Sequence, residues 1–562
     1  MISSKSSSGN VLKGRNFAPL DEKKVLFITP PSAFSAYTGT AINAATQIYP
    51  YLSYQYLSAW LKKLDMGFKT AALDMGIERN PWFNLPSFLL REKPKYLGLS
   101  FTTPLFYEAK LIGLIAKDLL GPDLVVIHGG VHVSSLPEES LRDTMCDVVV
   151  LGEGEVTFGE ICQGKPFPEI LGVAYRTDTN REQLLSTQDI LRRLINGESI
   201  YDIQTGAVIS GESNARKIYD IQTGAVISGE SSIRKTPPRG FIRSKENRSL
   251  DMLPFPDMEL FNIRRYKNPR IIAVDYPIQQ VETSRGCPFT CNFCSAEDTY
   301  RVFSPDYTVA MYEYLVRYCG VRELRVIDDQ FLTHVKRGKI IAEKMLQKGL
   351  VVPWNMANGV RADRVDREFL DLARRSGCYQ LGAGFESGDQ DSLDSIQKSL
   401  NIEKSYECMR MIKEADIEVV GFFMIATPSD TERTMQKTID FAKELMPDFA
   451  KVTVCIPFPD TRLFADYKRK GLILSEKWDD YNIHKAVGIY RHPNGLTPEV
   501  ITKYYWKFYL EFYGNPAYLD WFVPKSFANG SAVWKARTAA KLVLAKVAPD
   551  DPRRYRVSDP AK

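Results

Sequence analysis

Three cysteines offer the clearest chemistry in this chain. Cys287, Cys291 and Cys294 stand in Thr-Ser-Arg-Gly-Cys-Pro-Phe-Thr-Cys-Asn-Phe-Cys, a Cys-x3-Cys-x2-Cys spacing that follows the apolar stretch 277–281. Three thiolates this close can hold three irons of a cubane 4Fe–4S cluster, because soft sulfur ligands suit iron–sulfur chemistry. The fourth iron is left without a local protein ligand, and an open coordination position is where metal chemistry usually happens. A zinc site would want a fourth Cys or His close by. The nearest that follow are Cys319 and His334.

Such a loop must be positioned by a folded scaffold, and 562 residues are enough for roughly three or four domains of about 150 residues each. The composition, 44% apolar and 25% charged, is that of a globular protein, and a net charge of +5 over this length carries no nucleic-acid footprint. The Ser-rich first ten residues do not read as a secretory signal, and no apolar run approaches the ~18 residues of a membrane span. The expected location is the cytoplasm. Cys146, Cys162, Cys319, Cys378, Cys408 and Cys455 show no pairing pattern and read as small buried hydrophobes in a reducing compartment.

Residues 1–23 read as a disordered tail. Residues 24–165 alternate strand and helix: strands at 25–28, 96–101, 124–127 and 147–151, helices at 51–64 and 106–120. This predicts a parallel sheet covered on both faces, with glycine clusters just past the strand ends, where open α/β sheets bind ligands. Residues 166–274 read as a connecting region. It holds a tandem duplication, residues 200–217 followed at once by 218–235 with 16 of 18 residues identical. Two copies are too few for a solenoid, so an insertion in a surface loop is expected. From 275 to 480 the alternation resumes, with strands at 324–327, 351–356, 380–385, 419–425 and 451–456 and helices such as 337–348, 367–376 and 432–445. Six or so such units make a curved sheet or partial barrel with its site at the strand C-termini. Residues 481–562 are aromatic and then basic, which predicts a helical cap, with a helix at 532–547.

The region 280–480 resembles a radical S-adenosylmethionine (SAM) domain, and 24–165 resembles the cobalamin-binding domain that precedes it in one branch of that family. The three cysteines match the cluster motif, with the aromatic Phe293 before the third. Asp328-Asp329 in Ile-Asp-Asp-Gln-Phe resembles the Asp-Asp-x-Phe variant placed to bind the methionine amino group; the alternative is an Asp pair capping the next helix. Glu386 and Ser387 in Gly-Phe-Glu-Ser-Gly resemble the Gly-x-Glu-Ser-Gly that reaches SAM, and Arg361 is a candidate partner for the SAM carboxylate. Residues 421–430 resemble the adenine strand, with Ala426 in place of its second glycine and Asp430 in place of its acid. Residues 457–461 resemble the Pro-x-Pro-Gly-Thr turn, with Asp for Gly. In the first region, His128-Gly129-Gly130-Val131-His132 and Gly152-Glu153-Gly154-Glu155 resemble the loops that cradle cobalamin, with Gly129, Gly130, His132, Gly152, Glu153 and Gly154 as contacts. The Asp-x-His-x-x-Gly motif that ligates cobalt from below is absent, which argues against His-on binding.

The resemblance implies an α/β chain: a Rossmann-like cobalamin-binding domain, a partial (β/α)6 radical SAM barrel and a helical C-terminal cap. It implies a 4Fe–4S cluster, SAM and cobalamin as cofactors, and an electron donor such as flavodoxin or ferredoxin. The implied activity is C-methylation in a two-SAM mechanism, one SAM methylating cobalamin and another, cleaved at the cluster, supplying the radical that opens a substrate carbon. A non-methylating oxidative cyclase of bacteriochlorophyll synthesis would share every motif. A structural iron–sulfur or zinc protein is the reading from outside enzymology. The aromatic cap fits a large apolar, lipid-like or tetrapyrrole-like substrate, and its basic helix fits peripheral contact with a membrane surface; core packing fits equally.

Overall fold

The computed structural model describes residues 16–31, 49–177, 186–196, 233–239, 249–266, 273–484 and 488–528. The chain divides into two compact units, one built mainly from Leu57–Phe241 with the N-terminal strand, the other mainly from Ile242–Val547.

The first unit is a seven-stranded sheet in the order β2-β1-β3-β4-β5-β6-β7. Its strands are β1 (Asp21–Thr29), β2 (Lys69–Asp74), β3 (Pro94–Ser100), β4 (Val125–Gly129), β5 (Val148–Val150), β6 (Val173–Arg176) and β7 (Ile233–Lys235). β1 to β5 pair in parallel, while β6 and β7 add antiparallel. Val25, Leu26, Phe27 and Ile28 are wholly buried, the continuous apolar run of a strand covered on both faces. The parallel pairing expected for 24–165 is present in β1 to β5, and two antiparallel strands from beyond residue 165 extend the sheet past β5. The sequence reading also missed β2 and the helix Pro81–Glu92, whose interior Pro86 masks the helical pattern. β1 begins four residues earlier than expected, inside the segment read as tail.

β6 and β7 come from the stretch read as a connecting region. Ile233, Arg234 and Lys235 are the last three residues of the second repeat copy, and they pair with Arg176, Tyr175 and Ala174. The rest of the duplication lies outside the described residues.

The second unit carries six parallel strands in the order β15-β14-β13-β12-β11-β8, which is sequence order read backwards. They are β8 (Ile278–Val281), β11 (Glu323–Val326), β12 (Trp354–Val360), β13 (Cys378–Glu386), β14 (Glu418–Ile425) and β15 (Phe449–Val454). A small antiparallel pair, β9 (Ser284–Arg285) with β10 (Arg301–Val302), stands apart from it. Helices between the strands start on side-chain caps: Ser304 and Asp366 accept hydrogen bonds from the amides of Tyr307 and Phe369, and Thr431 and Thr434 form a capping box before Glu432–Leu445. On β14, Phe423 packs against Phe441 and Phe508 of the covering helices. The alternate residue Phe422 therefore lies on the other face.

The cap is helical, as expected, over Pro498–Tyr513 and Pro516–Ala528; the helix expected at 532–547 lies outside the described residues. Tyr513 and Tyr509 stand four apart on the first helix, and their phenols reach residues two apart on the edge strand β15. The Tyr513 hydroxyl accepts from Ala450 N at 3.1 Å and donates to Ala450 O at 3.0 Å. The Tyr509 hydroxyl treats Val452 N and O alike at 3.3 and 3.4 Å. Val454 N donates to Ile483 O at 2.8 Å, so the outward amides of this strand are all occupied. Of the six scattered cysteines, five are buried and Cys319 is half-buried.

Candidate active site at the strand ends

The cysteine loop is stapled at several points within the second unit. Cys287 N donates to Glu297 O at 2.6 Å, Asn292 N to Ile396 O at 3.1 Å and Leu463 N to Asn292 O at 2.8 Å. The Asn292 side chain donates to Ser395 O at 2.8 Å. Gly286 enters the loop at φ 78°, and a Cβ there would stand 2.4 Å from Thr299 O. Only glycine fits that turn.

Burial pushes the Cys287 and Cys291 thiols up, and a bound metal would favour their thiolate forms. The Cys291 thiol feels Lys398, Glu386 and Arg361, and Cys287 feels Asp329 and Lys398. The structure thus brings the thiols together with Glu386, Asp329 and Arg361, which are far apart in sequence. Among the described residues no three His, Cys, Asp or Glu side chains are disposed around a single ion. The fit to a cluster rests on the donor set: three thiols on one loop, each able to take a separate iron.

Glu386 ends β13 at φ 62°, and its Oε1 accepts from Lys398 Nζ at 2.7 Å. Oε2 has no hydrogen-bond partner among the described residues. Burial opposes the Lys398 charge, yet Glu386 and Cys291 hold its pKa above the ordinary lysine value. Sequence reasoning missed Lys398. It lies in a polar stretch with no motif around it, and only the fold turns it inward.

The acidic pair divides. Asp328 is buried and accepts from Thr283 N at 2.6 Å and from the Thr283 and Ser284 hydroxyls, both at 2.5 Å. Arg337 braces the same stretch through the Thr283 hydroxyl at 3.1 Å. Asp328 therefore fastens β11 to the root of the cysteine loop. Asp329 is exposed and accepts from Gly286 N at 3.0 Å. Of the two, Asp329 is the one open to a ligand.

Other expected contacts are committed elsewhere. Arg361 donates to Lys398 O at 2.7 Å, Ser399 O at 2.9 Å and Asp363 at 3.0 Å. Its guanidinium lies 4.0 Å from the Phe289 ring centroid, so it clamps the Lys398 turn to the cysteine loop. Ser387 is fully buried, with its hydroxyl 3.0 Å from that of Thr438. Asp430 accepts from Ser392 Oγ at 2.7 Å, Thr434 Oγ1 at 2.8 Å and Thr427 N at 2.9 Å, which closes the turn after β14. Ala426 stands at φ 59°, a backbone conformation that suits the glycine it replaces. Thr461 caps the helix Arg462–Arg469, and Phe293 is half-buried in the cysteine loop.

In the first unit the strand order switches direction between β1 and β3, and ligands of open α/β sheets gather at such a switch point. The loops after β4 and β5 lie on the same strand-end side. Gly152 N donates to Ser134 Oγ at 3.2 Å and joins them. Gly130 stands at φ 101°, where a Cβ would come 2.8 Å from Phe101 O. By contrast, a Cβ on Gly129 or Gly152 would meet nothing within 4 Å. Glu153 and Gly154 complete the second loop, ahead of the helix Glu155–Cys162. This open backbone suits a large flat ligand.

His132 is fully buried, with Nδ1 3.3 Å from Thr103 Oγ1 and its ring against Phe101 and Phe106. Burial depresses its pKa to about 4. Glu139, at 3.8 Å from Nε2, is too distant for a direct hydrogen bond. His128 is equally buried. These imidazoles support the loop from beneath, and neither is exposed to a metal above it.

Residues 281–442 match the model of the radical SAM superfamily. The chain is 27% identical over 507 residues, 88% of its length and 94% of the relative, to an uncharacterized methyltransferase, PH0819, of Pyrococcus horikoshii. It is 26% identical over 416 residues to the anaerobic magnesium-protoporphyrin IX monomethyl ester cyclase of Cereibacter sphaeroides, covering 73% of this chain and 58% of that one. In fold it is similar to the radical SAM methyltransferase TsrM of Kitasatospora setae, solved with cobalamin and a 4Fe–4S cluster bound. That likeness has a TM-score of 0.57 and 15% identity, covering 80% of this chain and 75% of that one.

Proposed function

We propose that this chain, which belongs to the radical SAM superfamily, is a cobalamin-dependent C-methyltransferase acting on a small molecule. The observation that carries this reading is the end-to-end likeness to the P. horikoshii methyltransferase, which spans 88% of this chain. When bound, the cluster and SAM would supply a carbon-centred radical, and cobalamin would carry the methyl group.

The protein's own part is positioning. Cys287, Cys291 and Cys294 hold the cluster. Glu386 Oε2 and Asp329 are the acceptors left for the polar end of SAM. Arg361, Asp328 and Lys398 fix the loop and strand that present them. Gly129, Gly130 and Gly152–Gly154 offer the backbone on which cobalamin rests, and the burial of His128 and His132 favours a base-off corrin.

The likeness to the cyclase supports a second reading, oxidative ring closure without methylation. Anaerobic reconstitution with iron, sulfide and hydroxocobalamin, followed by SAM and dithionite, tests both. The expected results are a base-off cobalamin spectrum, 5′-deoxyadenosine, and a product heavier by one methylene, about 14 Da. An oxidised product of unchanged carbon count would select the cyclase reading. Failure to form 5′-deoxyadenosine would remove both.

A further inference from the structure

Lys398 sits between two non-glycine residues in the left-handed region, Gln397 at φ 55° and Ser399 at φ 50°. Its partner Glu386 stands there too, at φ 62°. Three of the eight non-glycine residues at positive φ among the described residues thus belong to one ion pair and its turn. Such backbone is disfavoured, and it persists where the surroundings over-determine it.

Here the surroundings include the cysteine loop. Asn292, next to Cys291, donates to Ile396 O at 3.1 Å through its amide and to Ser395 O at 2.8 Å through its side chain. Arg361 donates to Lys398 O at 2.7 Å and Ser399 O at 2.9 Å, and its guanidinium lies 4.0 Å from the ring centroid of Phe289 in the same loop. Four carbonyls of the stretch 395–399 are therefore tied to the cysteine loop or to the arginine stacked on it. On the strand side Gly384 leaves room for the pair, since a Cβ there would stand 2.9 Å from both Glu386 Oε1 and Lys398 Nζ.

A turn pinned by so many backbone bonds needs no charge to hold its place. The side chain it presents is nevertheless a buried ammonium, 2.7 Å from Glu386 Oε1. After burial, the Lys398 charge is the largest influence on the Cys291 thiol, ahead of Glu386 and Arg361. Arg361 has a counterion of its own in Asp363, at 3.0 Å.

We propose that Lys398 sets the reduction potential of the cluster held by Cys287, Cys291 and Cys294, its buried ammonium favouring the reduced form while Glu386 opposes it. The inference rests on the cluster reading of the three thiols. The step concerned is one electron passing from a reductant such as dithionite to the cluster, with no bond made or broken. That electron adds a negative charge, which the ammonium stabilises and the carboxylate disfavours, and burial leaves both groups little screened.

Redox titration of the anaerobically reconstituted full-length protein without SAM, with the reduced cluster followed by electron paramagnetic resonance, measures this. At a fixed applied potential, Lys398→Met should lower the ratio of reduced to oxidised cluster about tenfold, which is about 59 mV for one electron. Glu386→Gln, whose amide oxygen still accepts from Lys398, should raise the ratio by a similar factor. Lys398→Arg, which keeps the charge, should stay within about twofold of wild type, as should loss of the exposed Lys404 in Lys404→Met. Opposite shifts mark an effect of charge, because a merely loosened site admits water and moves both variants the same way. Shifts of one sign in both variants, or none in either, overturn the assignment. If Lys398→Met takes up no cluster, Glu386→Gln decides: a raised ratio supports the assignment, and an unchanged or lowered one overturns it. A wild-type protein that loads the cluster and cleaves SAM while the variants do not shift loses only this inference. One that binds no iron at these thiols loses the cluster reading, and this inference with it.

Discussion

Lys398 Nζ lies 2.7 Å from Glu386 Oε1, and the two side chains are only 9% and 10% exposed. The pair joins the end of β13 to the turn that Arg361 grips, and it lies within electrostatic reach of Cys291. A cation here offsets the negative charge that three thiolates bring to the loop.

Removing one partner of such a pair strands a buried charge. Lys398→Met should destabilise the second unit by about 3–5 kcal/mol. Adding Glu386→Gln to it should recover a good part of the loss. Denaturant titrations of the three proteins read this directly, and equal stability of Lys398→Met and wild type would show that the pair does not hold the turn.

Gly286→Ala should lower both stability and cluster content. The added Cβ meets Thr299 O at 2.4 Å in a backbone of φ 78°, so the loop has to shift. The expected cost is on the order of 1–3 kcal/mol. Iron content per chain after reconstitution is the measurement, and full occupancy in the variant would contradict the geometry.

His132 gives the first unit an acid-sensitive core. Its pKa in the folded state, about 4, lies below the ordinary histidine value, so the folded state binds fewer protons between the two. Stability from this residue is complete above the unfolded pKa of about 6.5 and is lost as pH falls toward 4, by up to about 3 kcal/mol. Once corrected for the intrinsic slowing of exchange at low pH, protection of the β3 and β4 amides should therefore fall by roughly 30-fold from pH 7 to pH 5. The same dependence should flatten in His132→Asn; an unchanged slope in that variant would assign the effect elsewhere.

Tyr513→Phe deletes a hydroxyl that serves both backbone groups of Ala450, a residue only 1% exposed. The expected loss is about 1–3 kcal/mol, since a donor and an acceptor are left buried and unmet. Tyr509→Phe should behave alike at Val452. Thermal melts that match wild type in both variants would mean that other groups cover this edge.

The strands that form the second sheet were legible because each is an apolar run between helices of clear 3.6-residue period; Glu432–Leu445 has its expected bounds. The cysteine loop was legible because its donors are local in sequence. Lys398 was not, since its meaning depends on a Glu386 twelve residues away and on burial that no local pattern records. Ser387 was read as a ligand contact because its neighbours match a motif, and the fold sets its hydroxyl against that of Thr438; Asp430, which stands in place of the motif's acid, bonds Ser392 and Thr434. Asp328 was read as an acid for the methionine amino group, and in the fold its oxygens fasten Thr283 and Ser284.

A strand at the margin of a sheet is an invitation to any other chain with free amides to add itself. β15 closes that invitation at Ala450, Val452 and Val454. Two of the three closures are side-chain hydroxyls, which cannot propagate a ladder. Self-templated aggregation is thereby opposed at a place where a partial barrel is otherwise vulnerable. The tyrosines of the first cap helix thus guard an edge as well as packing against the sheet.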